Sequence, residues 1–250
     1  MDLREHHSTQ QRHPWEVARF RFLTQALRDR GLLQSTRSVL DAGSGDAWFA
    51  NQLTGLLPND ASITCWDAEY TPESMAEITK TISPQISLTP TRPQTPHDLI
   101  LLLDVLEHVE HDQAFLQELI AESLRPGGWL LFTVPAWQPL FSRHDTWLHH
   151  FRRYSPQQAR DVLQAAGLKV AESGGLFHSL LAPRLLTVVQ EKLLKPQKTL
   201  TPAIAWQQGP TVTQVVQAAL DVDNFVAKRL SRAGISVPGL SFWALCQRRA

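Results

Sequence analysis

Apolar runs separated by amphipathic segments dominate the first 175 residues of this chain. Residues 99–103 are five consecutive aliphatic side chains, which predicts a strand buried on both faces of a parallel sheet. Shorter apolar or β-branched runs predict further strands at 39–40, 63–66, 129–134 and 168–173. Helical spacing of apolar residues predicts helices over 14–31, 113–124 and 155–166. This alternation of strands and helices predicts an α/β fold.

The pattern changes between residues 176 and 236. Two stretches, 179–194 and 211–233, space their aliphatic residues as amphipathic helices do, and a polar connector that contains proline joins them. A last strand is predicted at 241–248, after the turn Pro238-Gly239. Three interpretations of the helical pair stay open: a lid over a ligand, a surface that docks on a membrane or a lipid-like substrate, or plain packing on the sheet.

A glycine turn follows the first predicted strand and carries the strongest functional signal. Asp41 precedes Gly43 and Gly45, and glycines let a ligand approach the backbone N–H groups at a helix start. Asp67 ends the next strand 24 positions after Gly43, close to the roughly 20 expected of an acid that binds ribose hydroxyls. Trp48 stands where the dinucleotide fingerprint has its third glycine, which argues against NAD and FAD.

Together with the segments 98–109 and 124–128, this turn resembles the class I S-adenosylmethionine-dependent methyltransferases, and most closely the broad group of ubiquinone- and menaquinone-type enzymes. The resemblance spans about residues 38–175 and implies S-adenosyl-L-methionine as the cofactor. The residues that it implies for cofactor binding are Asp41, Gly43, Gly45, Asp67, Asp104, Val105 and Leu106. Two departures are Ala47, in place of a third loop glycine, and the lack of an acid in 87–96 to contact adenine.

The implied fold is a Rossmann-like α/β three-layer sandwich. It has a mostly parallel seven-stranded sheet with an antiparallel last strand and a helical insertion before that strand. The expected division is a helical lead at 1–35, the S-adenosylmethionine-binding core at 36–175, the insertion at 176–236 and the final core strand at 237–250.

A polar segment after the fifth strand contains the candidate acceptor site. The order His-Asp, His, one residue, Arg-Arg-Tyr resembles a subgroup of these methyltransferases, and ligands of open α/β sheets bind at the carboxyl ends of strands. The candidate catalytic residues are His144, Asp145 and His150, because a histidine could take a proton from a hydroxyl and an acid could orient it. The candidate substrate-binding residues are Arg152, Arg153, Tyr154 and His108.

Structural roles compete with these assignments. Arg152 and Arg153 could instead pair with acids, and Tyr154 could pack beneath the next helix. Among His144, Asp145, His149 and His150 only one side chain is a carboxylate, which argues against Mg²⁺. A Zn²⁺ site in this segment stays open, but the residues lack a known zinc-ligand spacing, so no metal site is expected.

Composition and charge add limits. The only two cysteines, Cys65 and Cys246, fall in predicted strands, which indicates reduced thiols and, with a polar N-terminus that lacks a signal-peptide core, a cytoplasmic protein. No apolar run reaches the roughly 18 to 20 residues of a membrane span. Residues 1–139 carry a net charge of −8 and residues 140–250 a net charge of +8. The basic part could attract an anionic substrate or a membrane surface, or could be a solvated face.

The predicted function is S-adenosylmethionine-dependent methyl transfer to a small or lipid-linked acceptor, with an anionic group if the arginines bind it. Nucleic acid is not an expected partner, because the chain has no basic stripe with interleaved aromatic residues. Peripheral membrane contact stays open, and the sequence does not indicate an oligomeric state. The alternatives are an NAD-dependent oxidoreductase or epimerase, and a non-catalytic S-adenosylmethionine-binding module.

Overall fold

The computed structural model describes residues 12–193, 206, 208–233 and 237–249. Seven strands form one sheet, with the bounds β1 Ser38–Ala42, β2 Ser62–Trp66, β3 Ile86–Thr89, β4 His97–Leu103, β5 Leu124–Pro135, β6 Leu168–Leu176 and β7 Ser241–Arg248. Their order is β3-β2-β1-β4-β5-β7-β6. Strand β7 runs antiparallel to both β5 and β6, and the other pairs are parallel. The predicted fold class is therefore confirmed.

The helices of the described part are α1 Pro14–Asp29, α2 Leu32–Ser35, α3 Trp48–Thr54, α4 Pro72–Thr79, α5 Asp112–Ser123, α6 Arg143–Trp147, α7 Pro156–Ala165, α8 Leu181–Leu193 and α9 Pro210–Arg232. Two buried clusters hold them against the sheet. One contains side chains of α1, α3 and α9, such as Leu23, Phe49 and Leu220. The other contains side chains of α5 and α7, such as Leu116 and Ala159. The sheet is thus the middle of three layers.

Several element bounds differ from the predicted ones. Strand β5 begins at Leu124, which pairs with His97 of β4 before the register between the two strands shifts. The Gly-rich segment 124–128 therefore lies inside the strand and not before it. Strand β6 continues to Leu176, because Gly174 and Gly175 still pair with β7. Ser155 caps α7 through a capping box, as its position before Pro156 predicts.

The insertion does not bury the apolar face that its sequence suggests. Helix α9 packs along α1, and the residues that it buries are Thr213, Leu220, Asn224 and Ala227. Asn224 Oδ1 accepts a hydrogen bond from the Phe177 N–H, which fixes this orientation of the helix. Large apolar side chains are consequently left in solvent, namely Val212, Val215, Val222, Phe225 and Val226 on α9 and Leu185, Leu186, Val189 and Leu193 on α8.

Both cysteines are buried and free, as their strand positions predict. Among the described residues, none of the helices has the length and apolar character that crossing a membrane requires.

Candidate functional site

The turn after β1 is built so that only glycine fits at its first position. Gly43 has a φ of +71°, and a Cβ atom there would overlap a methyl group of Val105. The N–H groups of Gly43 and Ser44 both donate to the Trp66 carbonyl, at 2.7 and 3.2 Å. Gly45 has a φ of 54°, a backbone conformation that again favours glycine. The chain therefore bends tightly between β1 and α3, with Val105 as its opposite wall.

Asp67 lies at the end of β2, against this turn. Its Oδ2 accepts from the Gly45 N–H at 2.9 Å and its Oδ1 accepts from the Glu69 N–H at 2.9 Å. A carboxylate oxygen has more than one lone pair, so both oxygens can still accept from ligand hydroxyls. The structure thus joins Gly43, Gly45 and Asp67 in one place, as the sequence predicts.

Asp41 lies under the same turn and is almost fully buried. Burial raises the pKa of its carboxyl to about 7, and the negative charge of Asp67 adds to the rise. Ionisation of Asp41 without a cation nearby is costly for this reason. A positively charged ligand group beside it would favour the carboxylate.

Asp104 follows β4 in a left-handed conformation, with a φ of 55°. Its Oδ1 accepts from the Thr133 hydroxyl at 2.9 Å, and its Oδ2 pairs with Arg19 of α1. The N-terminal helix therefore closes over the carboxyl end of β4. Val105 touches the glycine turn, whereas Leu106 is fully buried in the core and contributes packing.

A cavity of about 390 Å³ opens beside Asp104. It lies where α1, the end of β5, α6 and α8 meet. Its polar lining consists of His13, Glu16, Arg19, Asp104, Glu107, His108, His144, His150, Arg153, Arg184 and Ser241. The apolar side chains that line it include those of Trp15, Leu148, Phe177, Leu180 and Leu240. Four of the predicted acceptor-site residues, His108, His144, His150 and Arg153, thus meet in one place.

Asp145 lies behind the cavity wall, fully buried, and is the hub of the predicted catalytic segment. Its oxygens accept from His150 Nδ1 at 3.0 Å, Arg153 Nε at 2.8 Å and Arg184 Nη2 at 2.6 Å. The Ser142 N–H donates to it as well, at 2.9 Å, in the capping box of α6. Although burial opposes ionisation, the hydrogen bond from His150 and the charge of Arg153 lower the pKa of Asp145 well below its usual range.

Four side chains on the cavity side contact one another or have a shifted pKa. The rings of His108 and His150 meet edge to face, with centroids 4.6 Å apart. Burial and the charge of Arg184 lower the pKa of His144, which favours its neutral form. Burial and the charge of Asp104 raise the pKa of Glu107 well above its usual range.

The structure does not bring Arg152 and Tyr154 to this cavity. Arg152 pairs with Asp112 at 2.8 Å and donates to the Glu110 carbonyl. The Tyr154 hydroxyl donates to Asp112 Oδ2 at 2.6 Å, and its ring is buried beneath α5 and α7. In the structure α5 supplies the carboxylate that holds both side chains, as the competing structural interpretation expects, and their predicted substrate role stays a prediction.

Sequence reasoning missed Glu107, Arg19 and Arg184 as cavity residues. Glu107 sits next to the predicted His108, so its position in the sequence was the signal that could have found it. Arg19 and Arg184 carry no local motif. They arrive through the packing of α1 and α8, which no short sequence pattern encodes.

Residues 15–173 match the model of a family described as a methyltransferase domain. The chain belongs to this methyltransferase family. A relative from Mycolicibacterium smegmatis (strain ATCC 700084 / mc(2)155), named as an S-adenosylmethionine-dependent methyltransferase, is 26% identical over 151 residues. The alignment covers 57% of this chain and 56% of the relative, so it spans little more than half of the relative's length.

Solved structures agree on the fold. A protein assigned as a sarcosine dimethylglycine methyltransferase from Galdieria sulphuraria superposes with a TM-score of 0.56 at 16% identity, covering 93% of this chain and 86% of that one. The [4+2]-cyclase SpnF superposes with a TM-score of 0.56 at 18% identity, covering 97% and 85%. The predicted class I methyltransferase family and its cofactor, S-adenosyl-L-methionine, are confirmed by the family match and the relative.

The residues of the glycine turn fit this cofactor. A side chain at Gly43 would fill the space beside Val105, Asp67 presents oxygens for ribose hydroxyls, and buried Asp41 suits a cationic neighbour. We place the cofactor at Asp41, Gly43, Gly45, Asp67 and Asp104 as a proposal.

Proposed function

We propose that this methyltransferase-family chain transfers a methyl group to a hydroxyl of an acceptor bound in the 390 Å³ cavity. The observation that carries the proposal is the His150–Asp145 pair in the cavity wall. Asp104 lines the cavity, and its neighbour Val105 forms the wall of the glycine turn. Donor site and cavity therefore adjoin along the carboxyl end of β4.

His150 is the proposed proton acceptor. Because its Nδ1–H donates to Asp145, the other ring nitrogen, Nε2, carries the lone pair. A hydroxyl held against Nε2 loses its proton to the ring as its oxygen becomes the nucleophile. Bound S-adenosyl-L-methionine supplies an activated methyl group, so the protein has mainly to align the acceptor and exclude water. The ionised Asp145 stabilises the imidazolium that forms.

The acceptor is proposed to carry an oxyanion. Arg19 and Arg184 both belong to the cavity lining. The Nε atom of each is buried and has no hydrogen-bond partner among the described residues. An unsatisfied buried N–H costs roughly 1–3 kcal/mol, which a carboxylate or phosphate oxygen of the acceptor would relieve. We therefore propose Arg19 and Arg184 as the residues that bind the anionic group, in place of Arg152 and Arg153, since the Arg153 Nε already donates to Asp145.

A lipid-linked acceptor is favoured by the exposed face of α8 and α9. Within the part of the chain that the structure describes, the large apolar side chains that are exposed all lie on these two helices, except Phe151. Exposed apolar side chains that cluster on a helix can mark interaction sites, and Arg184 of α8 lines the cavity. We propose that this face contacts a membrane or the lipid tail while the polar head enters the cavity.

A turnover assay tests the catalytic assignment. The wild-type chain and the variants H150A and H149A are incubated with methyl-labelled donor and fractions of a lipid extract, and labelled products are counted. His149 neighbours His150 but is not among the cavity residues. We expect H150A to lose 10²-fold or more, on the order of a general base's contribution, with H149A close to wild type. Equal turnover in H150A and wild type would refute the base.

Titration calorimetry separates the remaining alternatives. Binding of S-adenosylhomocysteine without binding of NAD supports the methyltransferase, and the reverse supports an oxidoreductase. Donor binding with no labelled product from any fraction supports a non-catalytic module.

Flotation with anionic lipid vesicles tests the apolar face, using F225S against wild type. Phe225 is 57% exposed, so a weakened association without loss of stability is expected.

A further inference from the structure

Three side chains with metal-ligand chemistry converge on one wall of the cavity. Glu107, His108 and His150 each offer one ligand atom, and these atoms all lie within 4.8 Å of one another. Glu107 and His108 belong to the 3₁₀ turn Leu106–His108 that follows β4. His150 belongs to the loop after α6, which is tied to that turn by a hydrogen bond from the Phe151 N–H to the Glu107 carbonyl at 2.8 Å.

The carboxylate of Glu107 lacks a partner that its burial demands. The residue is 1% exposed, and its Oε2 is buried with no hydrogen-bond partner among the described residues. A buried carboxyl oxygen without a partner is costly, and native structures rarely leave one without a reason. Since Glu107 is part of the cavity lining, a bound ligand can satisfy this oxygen from the cavity.

His150 has the arrangement that metal-binding histidines have. Its Nδ1 lies 3.0 Å from an oxygen of the buried Asp145, so Nε2 is the nitrogen free to ligate. A ligating histidine almost always donates its other ring N–H to a carboxylate or carbonyl, which fixes the ring and strengthens the ligand. Asp145 is itself fixed by Arg153 and Arg184, so this second layer is rigid.

We propose that Glu107, His108 and His150 bind a divalent transition-metal ion, with Asp145 orienting His150. Two imidazoles and one carboxylate suit Zn²⁺ and its neighbours, whereas Mg²⁺ and Ca²⁺ prefer a set of oxygen ligands. Ligand atoms at about 2.0–2.2 Å from a tetrahedral zinc ion lie roughly 3.5 Å apart, so the cluster has to contract by about an ångström. Small side-chain rotations supply that movement.

The ligand set differs from the one that the sequence offers. The sequence offers His144, Asp145, His149 and His150, with Asp145 as the carboxylate, and only His150 belongs to both sets. In the structure Asp145 already accepts from two arginines, a histidine and a backbone N–H, so it orients a ligand and is not one. Glu107 takes its place as the carboxylate, because it neighbours His108 in the 3₁₀ turn and its ligand atom lies within 4.8 Å of those of His108 and His150.

Three protein ligands leave a coordination position open, as catalytic metal sites do. An acceptor hydroxyl bound there would ionise at lower pH, releasing its proton to solvent through the cavity mouth. The ion would use the Nε2 lone pair of His150, so metal-bound protein activates the acceptor through the cation and metal-free protein through the histidine. Metal binding itself depends on neither donor nor acceptor.

Calorimetric titration of chelator-treated protein with Zn²⁺, and the visible absorption of Co²⁺ added in its place, test the site. We expect one ion per chain in wild type, and at least tenfold weaker binding in E107Q and in H108A. The control H111A changes an exposed histidine outside the cluster and should bind like wild type. The double variant H6A/H7A removes the histidine pair of the N-terminal sequence and should also bind like wild type.

The result that overturns the site is equal affinity in E107Q, H108A and wild type, or binding that disappears in H6A/H7A. Each variant is also titrated with S-adenosylhomocysteine. Unchanged affinity there shows that the variant is folded, so that a lost metal is a lost ligand. Failure of wild type to bind S-adenosylhomocysteine would count against the proposed function and would leave the metal result standing.

Discussion

Replacement of Asp145 by asparagine removes the charge on which the cavity wall depends. The carboxylate is fully buried and pairs with three basic side chains. The side chains of Arg153, Arg184 and His150 are 6%, 15% and 8% exposed. The amide is nearly isosteric, so D145N leaves the volume unchanged. It leaves the guanidinium groups of buried Arg153 and half-buried Arg184 without the charge of Asp145.

Breaking a buried ion pair by removing one partner costs about 3–5 kcal/mol. For a chain of this size each kcal/mol lowers the melting temperature by roughly 2–4 °C, so D145N should melt about 6–20 °C below wild type. The control is D60N, because Asp60 and Arg37 are 72% and 48% exposed in their pair. Such an exposed pair is worth about 0–1 kcal/mol at most.

Chemical denaturation at pH 7 measures both differences in the free energy of unfolding. The pH dependence adds a second check. Because the pKa of Asp145 lies below its ordinary value of 3.8, its contribution is full above that value and is lost as pH falls through the folded-state pKa. Wild type should therefore approach D145N in acid. If D145N and D60N cost the same at pH 7, Asp145 is not the hub described.

Two further outcomes follow from the glycine turn. Gly43 and Gly31 share a φ of +71°, but only Gly43 has a neighbour within 4 Å of a new Cβ. G31A should cost only the left-handed strain of about 1–2 kcal/mol, while G43A should cost more in denaturation and abolish S-adenosylhomocysteine binding by calorimetry. The pKa of Asp41 is raised to about 7, so the folded chain holds a proton that the unfolded chain releases near 3.8. Wild type should lose up to about 1.4 kcal/mol of stability per pH unit relative to D41N as pH rises from 5 towards 7, and parallel curves would contradict the buried acid.

The order and type of the core elements could be predicted because their signals are local. Five consecutive aliphatic residues predict β4, and the spacing between Gly43 and Asp67 predicts that the two lie together at the proposed donor site. Asp104 and Val105 were reachable through the family resemblance. All of these residues lie at the carboxyl ends of adjacent strands, so strand positions alone bring them together.

The cavity could be predicted only in part, because helix packing decides its remaining walls. Arg184 enters it from α8, and Arg19 enters from α1, far from the motif of residues 144–154. Arg152 and Tyr154 belong to that motif but turn towards Asp112, a partner that is 40 or more positions away. On α9 the buried face departs from the aliphatic pattern and includes Asn224, whose Oδ1 accepts from the Phe177 N–H, a long-range contact that no short sequence pattern encodes.

A crystal structure with S-adenosylhomocysteine bound would show whether donor and acceptor sites adjoin. We expect the ribose hydroxyls at Asp67, the chain of the ligand over Gly43 and Gly45, and the sulfur facing the cavity that His150 and Asp104 line. A ligand seated elsewhere, or a sulfur turned away from that cavity, would contradict the claim that donor and acceptor meet at the end of β4.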